Sequence, residues 1–265
     1  FCSSGLDAMS LAASKIMAQQ ADLCVASGVE SMSRCPMMSD GGALIADPSL
    51  SYDHHIVPQG ISADLISTLY DYSREQLDRY AHLSQTRAQT AIKKGYLRSI
   101  IPIRSALGTI ALDQDELPRA NPSMDKLSAL KPSFSMMGAM AGYDDHAIFR
   151  YPEIERIQHN HHAGNSSGIA DGASAILLAS QSAISQYHLK PKARVIATAQ
   201  CGTDPTIMLT APAMAVELAL KRAQLSTKDI DLWEINEAFS SVVLRAIDLL
   251  SIPIKDVNVN GGAIA

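Results

Sequence analysis

Five apolar residues near the start of the chain recur at helical spacing: Leu6, Met9, Ala13, Ile16 and Met17. This pattern predicts an α-helix with one buried stripe that ends near Gln20. Ser4, followed three residues later by Asp7, predicts a capping box in which the Ser4 hydroxyl is the N-cap. The next apolar run, 23–28, ends at a glycine and predicts a buried strand, so that helix and strand would pack in a parallel α/β layer.

Strand and helix patterns alternate again in the last third of the chain. Four apolar runs predict strands at 171–180, 192–199, 231–235 and 257–260. Helical spacing predicts two further helices, at 211–223 and 237–250. This order of elements is typical of an α/β protein.

The middle of the chain has a different texture. Polar residues, prolines and glycines are frequent there, and a helix predicted at 73–94 carries charge around much of its surface. We therefore expect an inserted loop domain at 34–161. It would interrupt an N-terminal half formed by 1–33 and 162–188, and a C-terminal half would follow at 189–265.

Composition argues against several classes of protein. Of the 265 residues, 47% are hydrophobic and 5% aromatic, as suits an α/β enzyme, and the net charge of −5 argues against a nucleic-acid partner. No apolar run has the length of a membrane span, and no signal peptide is visible. The four cysteines have neither metal-site spacing nor the framework of a small secreted protein, so we expect a reducing, cytoplasmic compartment. Because the chain starts at Phe1 and stops after NVNGGAIA, we expect both ends to be missing, and an organellar leader stays an open alternative.

Cys2 lies just before the first predicted helix. A cysteine attacks as its thiolate, and the unpaired amides and dipole at a helix N-terminus favour negative charge there. The neighbouring Ser3, Ser4 and Gly5 are small and leave room for a bulky electrophile. Cys2 is therefore a candidate nucleophile, and the alternative is an inert cysteine buried for its apolar character.

A second candidate site is WEINEAFSS (233–241). The apolar strand predicted there delivers Asn236 and Glu237 to its carboxyl end, the edge at which open α/β sheets bind ligands. An uncharged asparagine can hold a water or orient a carbonyl, as oxyanion sites require. The alternative is that Asn236 is an ordinary helix N-cap.

Several segments, in the same order, resemble the thiolase family. FCSSGLDAMSLAASKIMAQQADLCVASGVESMS is similar to its nucleophile segment, NEAF to its asparagine motif and NVNGGAIA to the start of its third motif. VPQGISADL, LKPSF, HHAGNSSGIADGA and GTDPTIM resemble segments of degradative or acetoacetyl-CoA thiolases. The resemblance covers essentially the whole chain. It implies an α/β thiolase fold, with two similar layered halves and a loop domain inserted into the first. It also implies an acyltransferase of CoA thioesters that needs no cofactor beyond CoA as substrate and forms dimers or tetramers.

The resemblance also implies roles for nine residues. Cys2 would take the acyl group from an acyl-CoA or 3-ketoacyl-CoA, and Asn236 would hold the water that helps to stabilise the thioester oxyanion. The other seven would bind substrate: Arg119 at the adenine end of CoA, Phe134, Ala163 and Ser167 along the pantetheine tunnel, Met208 at the acyl end, and Glu237 and Ala238 around Asn236. A narrow apolar tunnel suits pantetheine, and a cation near its mouth suits phosphates.

The chain departs from the family pattern at three places. Pro58 and Gln59 stand where many biosynthetic relatives have histidine and methionine, which leaves the acyl-chain preference open. Asp7 replaces a frequent glutamine and puts a carboxylate near the nucleophile. The family's Gly-His-Pro segment and later cysteine loop, which activate the nucleophile and move the substrate's α-proton, are not among these 265 residues. Since a positioned base supplies about 10²–10⁴-fold per proton transfer, we expect no steady turnover from this chain alone.

Four alternatives remain at this point. GNSSG (164–168) fits a hydrolase elbow with Ser166 as nucleophile, although no strong strand precedes it. HNHH (159–162), with His54 and His55, suggests a metal site, but solvated loop histidines are the simpler expectation. Related condensing synthases also place a cysteine at a helix start, yet their partner motifs are histidines rather than NEAF. A thiolase-like protein that binds CoA or acts as a scaffold without catalysis is the main non-enzymatic alternative.

Overall fold

A computed structural model describes residues 2–265, apart from the side chain of Ile45. The chain divides into two compact units. The first comprises the described residues up to Asp40, Ile169–Gln200 and Leu218–Gln224. The second comprises Gly41–Gly168, Cys201–Glu217 and Leu225–Ala265.

The described residues form fifteen regular elements in chain order. They are α1 Ser4–Met17, β1 Leu23–Glu30, α2 Ala43–Ala46, α3 Pro48–Asp53, α4 Gln59–Leu69, α5 Arg74–Lys93, β2 Ile103–Arg104, β3 Ile110–Leu112, α6 Met124–Ser128, α7 Ser135–Met140, α8 Tyr143–Arg150, β4 Gly172–Ala179, α9 Gln181–Gln186, α10 Ala211–Ala223 and α11 Ser240–Leu250. Two short 3-10 turns lie at Thr227–Asp229 and Ile254–Asp256. In the part of the chain that the structure covers, no helix has the length and apolar character needed to cross a membrane.

The first unit is built on a two-stranded ribbon. β1 pairs with β4 in antiparallel register, from Leu23 opposite Ala179 to Glu30 opposite Gly172. α1 packs on this ribbon, and the contact is made by small residues: Ala12 and Ala13 on the helix with Ala26 and Leu178 on the strands. The antiparallel pairing shows that the parallel packing predicted for this layer is wrong.

The burial predicted for the two strands of the first unit is also wrong. Only Ala26 of β1 and Leu178 of β4 are buried, whereas Val25 is 65% exposed. Leu6 and Met17, predicted to lie in the buried stripe of α1, are 65% and 83% exposed. The physical reason is the thin layer: a single helix on a two-stranded ribbon covers one narrow strip, and alternate strand residues face away from it.

α1 begins where the sequence predicts, but its cap is different. Ser4 is the first helical residue rather than the N-cap, and the N-cap position belongs to Ser3. Ser3 already has helical angles (φ −92°, ψ −2°) and its hydroxyl makes no capping hydrogen bond. An N-cap side chain normally reaches the N2 or N3 amide from an extended backbone, so this geometry removes the predicted capping box. The Asp7 carboxylate instead accepts a hydrogen bond from the side-chain amide of Gln200.

The second unit has the larger core, formed mainly by α4, α5, α8 and α11. Its centre is made of fully buried aliphatic residues, which include Ile61, Leu65 and Leu77. α5 was predicted at 73–94 and is confirmed. Its start is fixed by a complete capping box, in which the Ser73 hydroxyl accepts from the Gln76 amide and the Gln76 side chain accepts from the Ser73 amide.

Three of the strands predicted in the last third of the chain are not formed among the described residues. The 192–199 segment has no strand partner, and 231–235 meets 257–260 through one parallel bridge between Trp233 and Val257. The helix predicted at 211–223 is confirmed as α10. α11 begins three residues later than predicted, because Phe239 is bridged to Ser166 and the Ala238 carbonyl accepts from the Ser167 amide.

Candidate active site

Cys2 is exposed at the amino end of α1. Only Ser3 separates it from the first helical residue, and the fourteen-residue helix leaves the amides of its first turn without intrahelical acceptors. Those amides and the helix dipole favour a thiolate at this position. Its exposure contradicts the alternative of a cysteine buried for its apolar character. The nucleophilic role itself stays a prediction.

Asn236 is exposed in the irregular segment that leads into α11. The N-cap of α11 is Phe239, so the alternative that Asn236 is an ordinary helix cap is wrong. The preceding residue is held on both sides, because the Ile235 amide donates to Asn258 Oδ1 at 2.8 Å and Asn258 Nδ2 donates to the Ile235 carbonyl at 2.8 Å. The Asn236 amide therefore projects from a backbone that is fixed on its N-terminal side.

Glu237 fixes the backbone on the other side of Asn236. Its carboxylate is fully buried and accepts four hydrogen bonds. The Tyr80 hydroxyl (2.7 Å) and Asn258 Nδ2 (2.9 Å) donate to Oε1, and the Ser84 hydroxyl (2.6 Å) and Ile264 amide (3.0 Å) donate to Oε2. Burial and the adjacent carboxylate raise the pKa of Tyr80 far above its usual value, so the phenol keeps its proton and remains a donor. All the bonds of this carboxylate are internal, which means that Glu237 acts on the site through its neighbour.

A glycine lets the 258–264 segment approach this carboxylate. A Cβ on Gly262 would lie 2.3 Å from the Glu237 carboxyl carbon, closer than any side chain permits. The Gly262 amide also donates to the Ser84 hydroxyl at 3.1 Å. The four donors and Gly262 thus connect α5, the 233–237 segment and the 258–264 segment around one buried charge.

A second buried carboxylate, Asp64 on α4, holds the 159–161 segment. Its Oδ1 accepts from the Asn160 amide (2.9 Å), the His161 amide (3.0 Å) and His161 Nδ1 (2.7 Å), and its Oδ2 accepts from His159 Nδ1 (2.8 Å). Burial opposes ionisation of Asp64, but the hydrogen bonds from His159 and His161 outweigh it and hold its pKa below the usual value. His161 and His162 are completely buried, so the expectation of solvated loop histidines is wrong for them, whereas His54 is exposed as expected.

A third buried carboxylate, Asp78 on α5, holds the next stretch of the same segment. Asp78 Oδ1 accepts from His162 Nε2 at 2.8 Å and Asn165 Nδ2 at 2.9 Å, and Arg74 Nε donates to Oδ2 at 2.8 Å. The Gly164 amide donates to His162 Nδ1 at 2.9 Å, which fixes the proton of this ring on Nε2. Burial raises the pKa of Asp78, yet the hydrogen bonds from His162 and Arg74 outweigh it and keep the pKa low.

These carboxylates position most of the residues expected along the pantetheine tunnel. The Ser133 amide, next to Phe134, donates to the His161 carbonyl at 2.9 Å, and the Ser167 amide donates to the Ala238 carbonyl at 2.9 Å. Phe134 and Ala238 pack in one apolar cluster with Phe239, whose ring meets the Phe134 ring edge-on at 5.9 Å.

The third expected tunnel residue, Ala163, and the residue expected at the acyl end, Met208, are placed less closely. Ala163 is exposed between His162 and Gly164. Met208 is half-buried, and its amide donates to the Asp204 carbonyl at 2.8 Å. Its place at the acyl end of the substrate stays a prediction.

Arg119 lines a cavity of about 470 Å³. Lys126 lines the same cavity, together with the polar side chains of Gln85, Asn121 and Ser123. The cavity wall is fixed, because the Arg119 amide donates to Gln85 Oε1 at 2.8 Å and Arg74 donates to the Leu127 carbonyl at 2.7 Å. Two cations in a cavity of this size suit a ligand that carries phosphates.

Comparison with known families decides what this arrangement belongs to. The N-terminal domain of thiolase matches residues 1–144, and the C-terminal domain of thiolase matches residues 189–265. The chain belongs to the thiolase family.

Several thiolases are similar to this chain over its whole length. The β-ketoadipyl-CoA thiolase of Acinetobacter baylyi is 35% identical over 286 residues. Among solved structures, the dimeric peroxisomal thiolase of Saccharomyces cerevisiae matches with a TM-score of 0.83 at 32% identity, and human mitochondrial 3-ketoacyl-CoA thiolase in complex with CoA with a TM-score of 0.79 at 31%. Each match covers 100% of this chain, and the chain spans 66%, 63% and 64% of these three proteins. The thiolase fold expected from the sequence is confirmed.

The structure of this thiolase-family chain also bears on two alternatives. Among the described residues, no strand ends directly before 164–168 and no helix begins directly after it. The Ser166 hydroxyl donates to the His162 carbonyl at 2.9 Å, so the interpretation as a hydrolase elbow is wrong. The described residues contain no cluster of three or more side chains able to hold a metal ion. His159, His161 and His162 are paired with carboxylates instead.

Sequence reasoning missed the buried residues that support the candidate site. Asp78, Tyr80 and Ser84 were read only as positions on the helix predicted at 73–94, Asp64 only as part of VPQGISADL, and Asn258 only as part of a strand. One signal was available: Asp64 stands in GISADLIST, where the apolar neighbours predict burial and a buried carboxylate needs partners. The partners themselves lie far away in sequence, which a local pattern does not reveal.

Proposed function

We propose that the protein is an acyltransferase of the thiolase type, which cleaves 3-ketoacyl-CoA with CoA or condenses two acetyl-CoA molecules. The observation that carries the proposal is the family match, together with an exposed cysteine at the amino end of α1. Two of the similar proteins support it by name, a β-ketoadipyl-CoA thiolase and a 3-ketoacyl-CoA thiolase bound to CoA.

The proposed reaction has two steps. The Cys2 thiolate attacks the ketone carbon of 3-ketoacyl-CoA, the bond between that carbon and the α-carbon breaks, and the electron pair leaves as the acetyl-CoA enolate, which takes a proton. The acyl group, now a thioester of Cys2, is then attacked by the sulfur of incoming CoA, whose thiol proton passes to solvent, and Cys2 leaves as the thiolate. In this proposal Asn236 holds a water that helps to stabilise the thioester oxyanion. The same steps in reverse join two acetyl units.

The proposed CoA site follows from the placement of the predicted binding residues. Arg119 and Lys126 face the cavity that suits a phosphorylated nucleotide. Phe134 and Ala238 share an apolar cluster that suits pantetheine, and the Ser167 amide is bonded to Ala238. Glu237 supports this site by fixing the backbone next to Asn236.

These 265 residues do not include the family's Gly-His-Pro segment or its second catalytic cysteine loop. We therefore propose that a polypeptide of this sequence alone takes up an acyl group without sustained turnover. A non-catalytic CoA-binding or scaffold protein is the competing proposal, and it differs in one respect: it predicts no acyl transfer to Cys2. Steady cleavage of acetoacetyl-CoA by this polypeptide would contradict the expected lack of turnover.

Mass spectrometry of acetylated peptides tests the proposed function. The chain is incubated with acetyl-CoA near neutral pH, and the acetylated fractions of Cys2 and Cys35 are followed with time. Cys35 is an internal control, because it is also an exposed free cysteine of the first unit. We expect acetylation of Cys2 well ahead of Cys35. Equal rates at the two cysteines would contradict a tuned nucleophile.

Assembly and compartment are secondary parts of the proposal. One similar solved protein is described as a dimeric peroxisomal thiolase, and another as mitochondrial. We propose a homodimer or homotetramer for the intact protein, which sedimentation velocity would measure. A cytoplasmic location stays a prediction.

A further inference from the structure

His159 joins two carboxylates on different helices of the second unit. Its Nδ1 lies 2.8 Å from Asp64 Oδ2 on α4, and its Nε2 lies 2.9 Å from Asp144 Oδ2 on α8. A neutral imidazole has one N–H and can donate to only one of them. Since both nitrogens face acceptors, His159 is an imidazolium, and it connects α4 to α8 by two charge-assisted hydrogen bonds.

The surroundings keep this charge in place. The His159 side chain is 12% exposed and that of Asp64 is fully buried. Hydrogen bonds to Asp64 raise the pKa of His159 to about 9, with further support from Asp144 and against the effect of burial. The charged groups that face the ring are Asp64 from α4 and Asp144 from α8, and His161 shares Asp64 with it. The ring is thus positively charged at neutral pH.

The segment 159–161, which Asp64 holds, is connected to the residues expected along the pantetheine tunnel. Asp64 also accepts from the amides of Asn160 and His161, and the His161 carbonyl accepts from the Ser133 amide beside Phe134. The His161 ring packs edge-on against Phe239 at 5.4 Å, and Phe239 in turn packs against Phe134. α4 touches the same ring, because a Cβ on Gly60 would lie 2.3 Å from atoms of Phe134.

We propose that His159, held between Asp64 and Asp144, is a positioning residue that sets the Phe134 wall of the CoA site, an inference that rests on the proposed function. Neutralising or removing the imidazolium leaves Asp64 and Asp144 without their shared donor and removes this polar link between α4 and α8. The Asp64 contacts to Asn160 and His161 then loosen, and with them the anchor of Phe134. CoA affinity falls although no CoA-binding side chain has changed.

Binding of desulfo-CoA tests this proposal, because that probe has neither a thiol that titrates nor a thioester that reacts. Calorimetry compares the parent chain with His159→Gln, Asp144→Asn and the double variant. We expect each single variant to bind about tenfold more weakly, the size of one lost charge-assisted hydrogen bond, and the double variant to bind no more weakly than either. His54→Gln is the matched control, since His54 is an exposed histidine of the same unit. Unchanged affinity in His159→Gln would overturn the proposal.

A pH series separates positioning from a general loss of stability. In the parent, desulfo-CoA affinity should fall as the pH rises through about 9, and in His159→Gln this fall should be absent. Ala91→Gly, a change in a buried residue of α5, should lower thermal stability without removing the pH dependence. A pH profile that is identical in the parent and in His159→Gln would contradict the proposal.

A second readout keeps this proposal distinct from the proposed function. If the parent chain does not bind desulfo-CoA at all, the proposed CoA site fails, and amide hydrogen exchange decides the positioning role. We then expect faster exchange at Ser133, Asn160 and His161 in His159→Gln than in the parent. Unchanged exchange at these three amides would overturn the proposal.

Discussion

The two units of this chain position their candidate residues by different physical means. In the first, Cys2 depends on the amino end of one helix that packs on a two-stranded ribbon through small residues such as Ala12 and Ala13. In the second, the segment around Asn236 is fixed by Glu237, a fully buried carboxylate with four donors. The comparison teaches that the amides at one helix N-terminus can favour the thiolate of a cysteine, whereas precise placement of an asparagine side chain requires partners from several elements.

Removing the Glu237 carboxylate should have the largest effect on the stability of the second unit. Glu237→Ala removes four buried hydrogen bonds, so we expect the free energy of unfolding to fall by about 4 kcal/mol. Glu75→Ala is the control, because Glu75 is exposed on α5 and forms only a surface ion pair with Arg79, and its loss should cost less than about 0.5 kcal/mol. Urea denaturation measures both. A loss below about 1 kcal/mol in Glu237→Ala would show that the network does not hold the second unit.

Alkaline pH should weaken the second unit and leave the first unchanged. The pKa of His159 is raised from 6.5 to about 9, so its contribution to stability is complete below about pH 6.5 and is lost as the pH rises through about 9. The difference corresponds to about 3 kcal/mol. Unfolding of the parent and of His159→Gln, measured from pH 6 to pH 10, checks the sign. If the unfolding free energy of the parent changed with pH in the same way as that of His159→Gln, the charged state assigned to His159 would be contradicted.

The helix starts of the two units provide the smallest test. Ser73 caps α5 with a complete capping box, whereas Ser3 makes no capping hydrogen bond at α1. Ser73→Ala should therefore cost about 1 kcal/mol of unfolding free energy, and Ser3→Ala close to nothing. Thermal unfolding of the two variants compares them. Equal losses would mean that the Ser3 hydroxyl caps α1 after all.

The success of sequence reasoning followed the range of the interactions involved. α5 and α10 were predicted because the residues that indicate a helix lie within a few positions of one another. The exposure of the strands in the first unit was not predicted, because it depends on what covers the ribbon and not on the residues of the strands themselves. The same limit applied to the site: Cys2 and Asn236 could be named from motifs, but Tyr80 and Ser84 lie 157 and 153 positions before Glu237.

The histidine cluster shows the same limit for a single motif. The polar run HNHH favoured solvated side chains, yet Asp64 and Asp78, which come from two helices, pair with His161 and His162 in the interior. A polar run can therefore be core when acidic residues elsewhere complete its hydrogen bonds.

The most direct test of the account is the rate at which acetyl-CoA acetylates Cys2 in the parent chain and in Asn236→Ala. The proposed function gives Cys2 and Asn236 roles in one reaction, so we expect Asn236→Ala to slow acetylation by about a hundredfold, as loss of oxyanion stabilisation does. Asn121→Ala, a change in the cavity beside Arg119, should alter the dependence on acetyl-CoA concentration and leave the rate at saturation unchanged. Acetylation of Cys2 at the parental rate in Asn236→Ala, or no acetylation of Cys2 in the parent, would contradict the account.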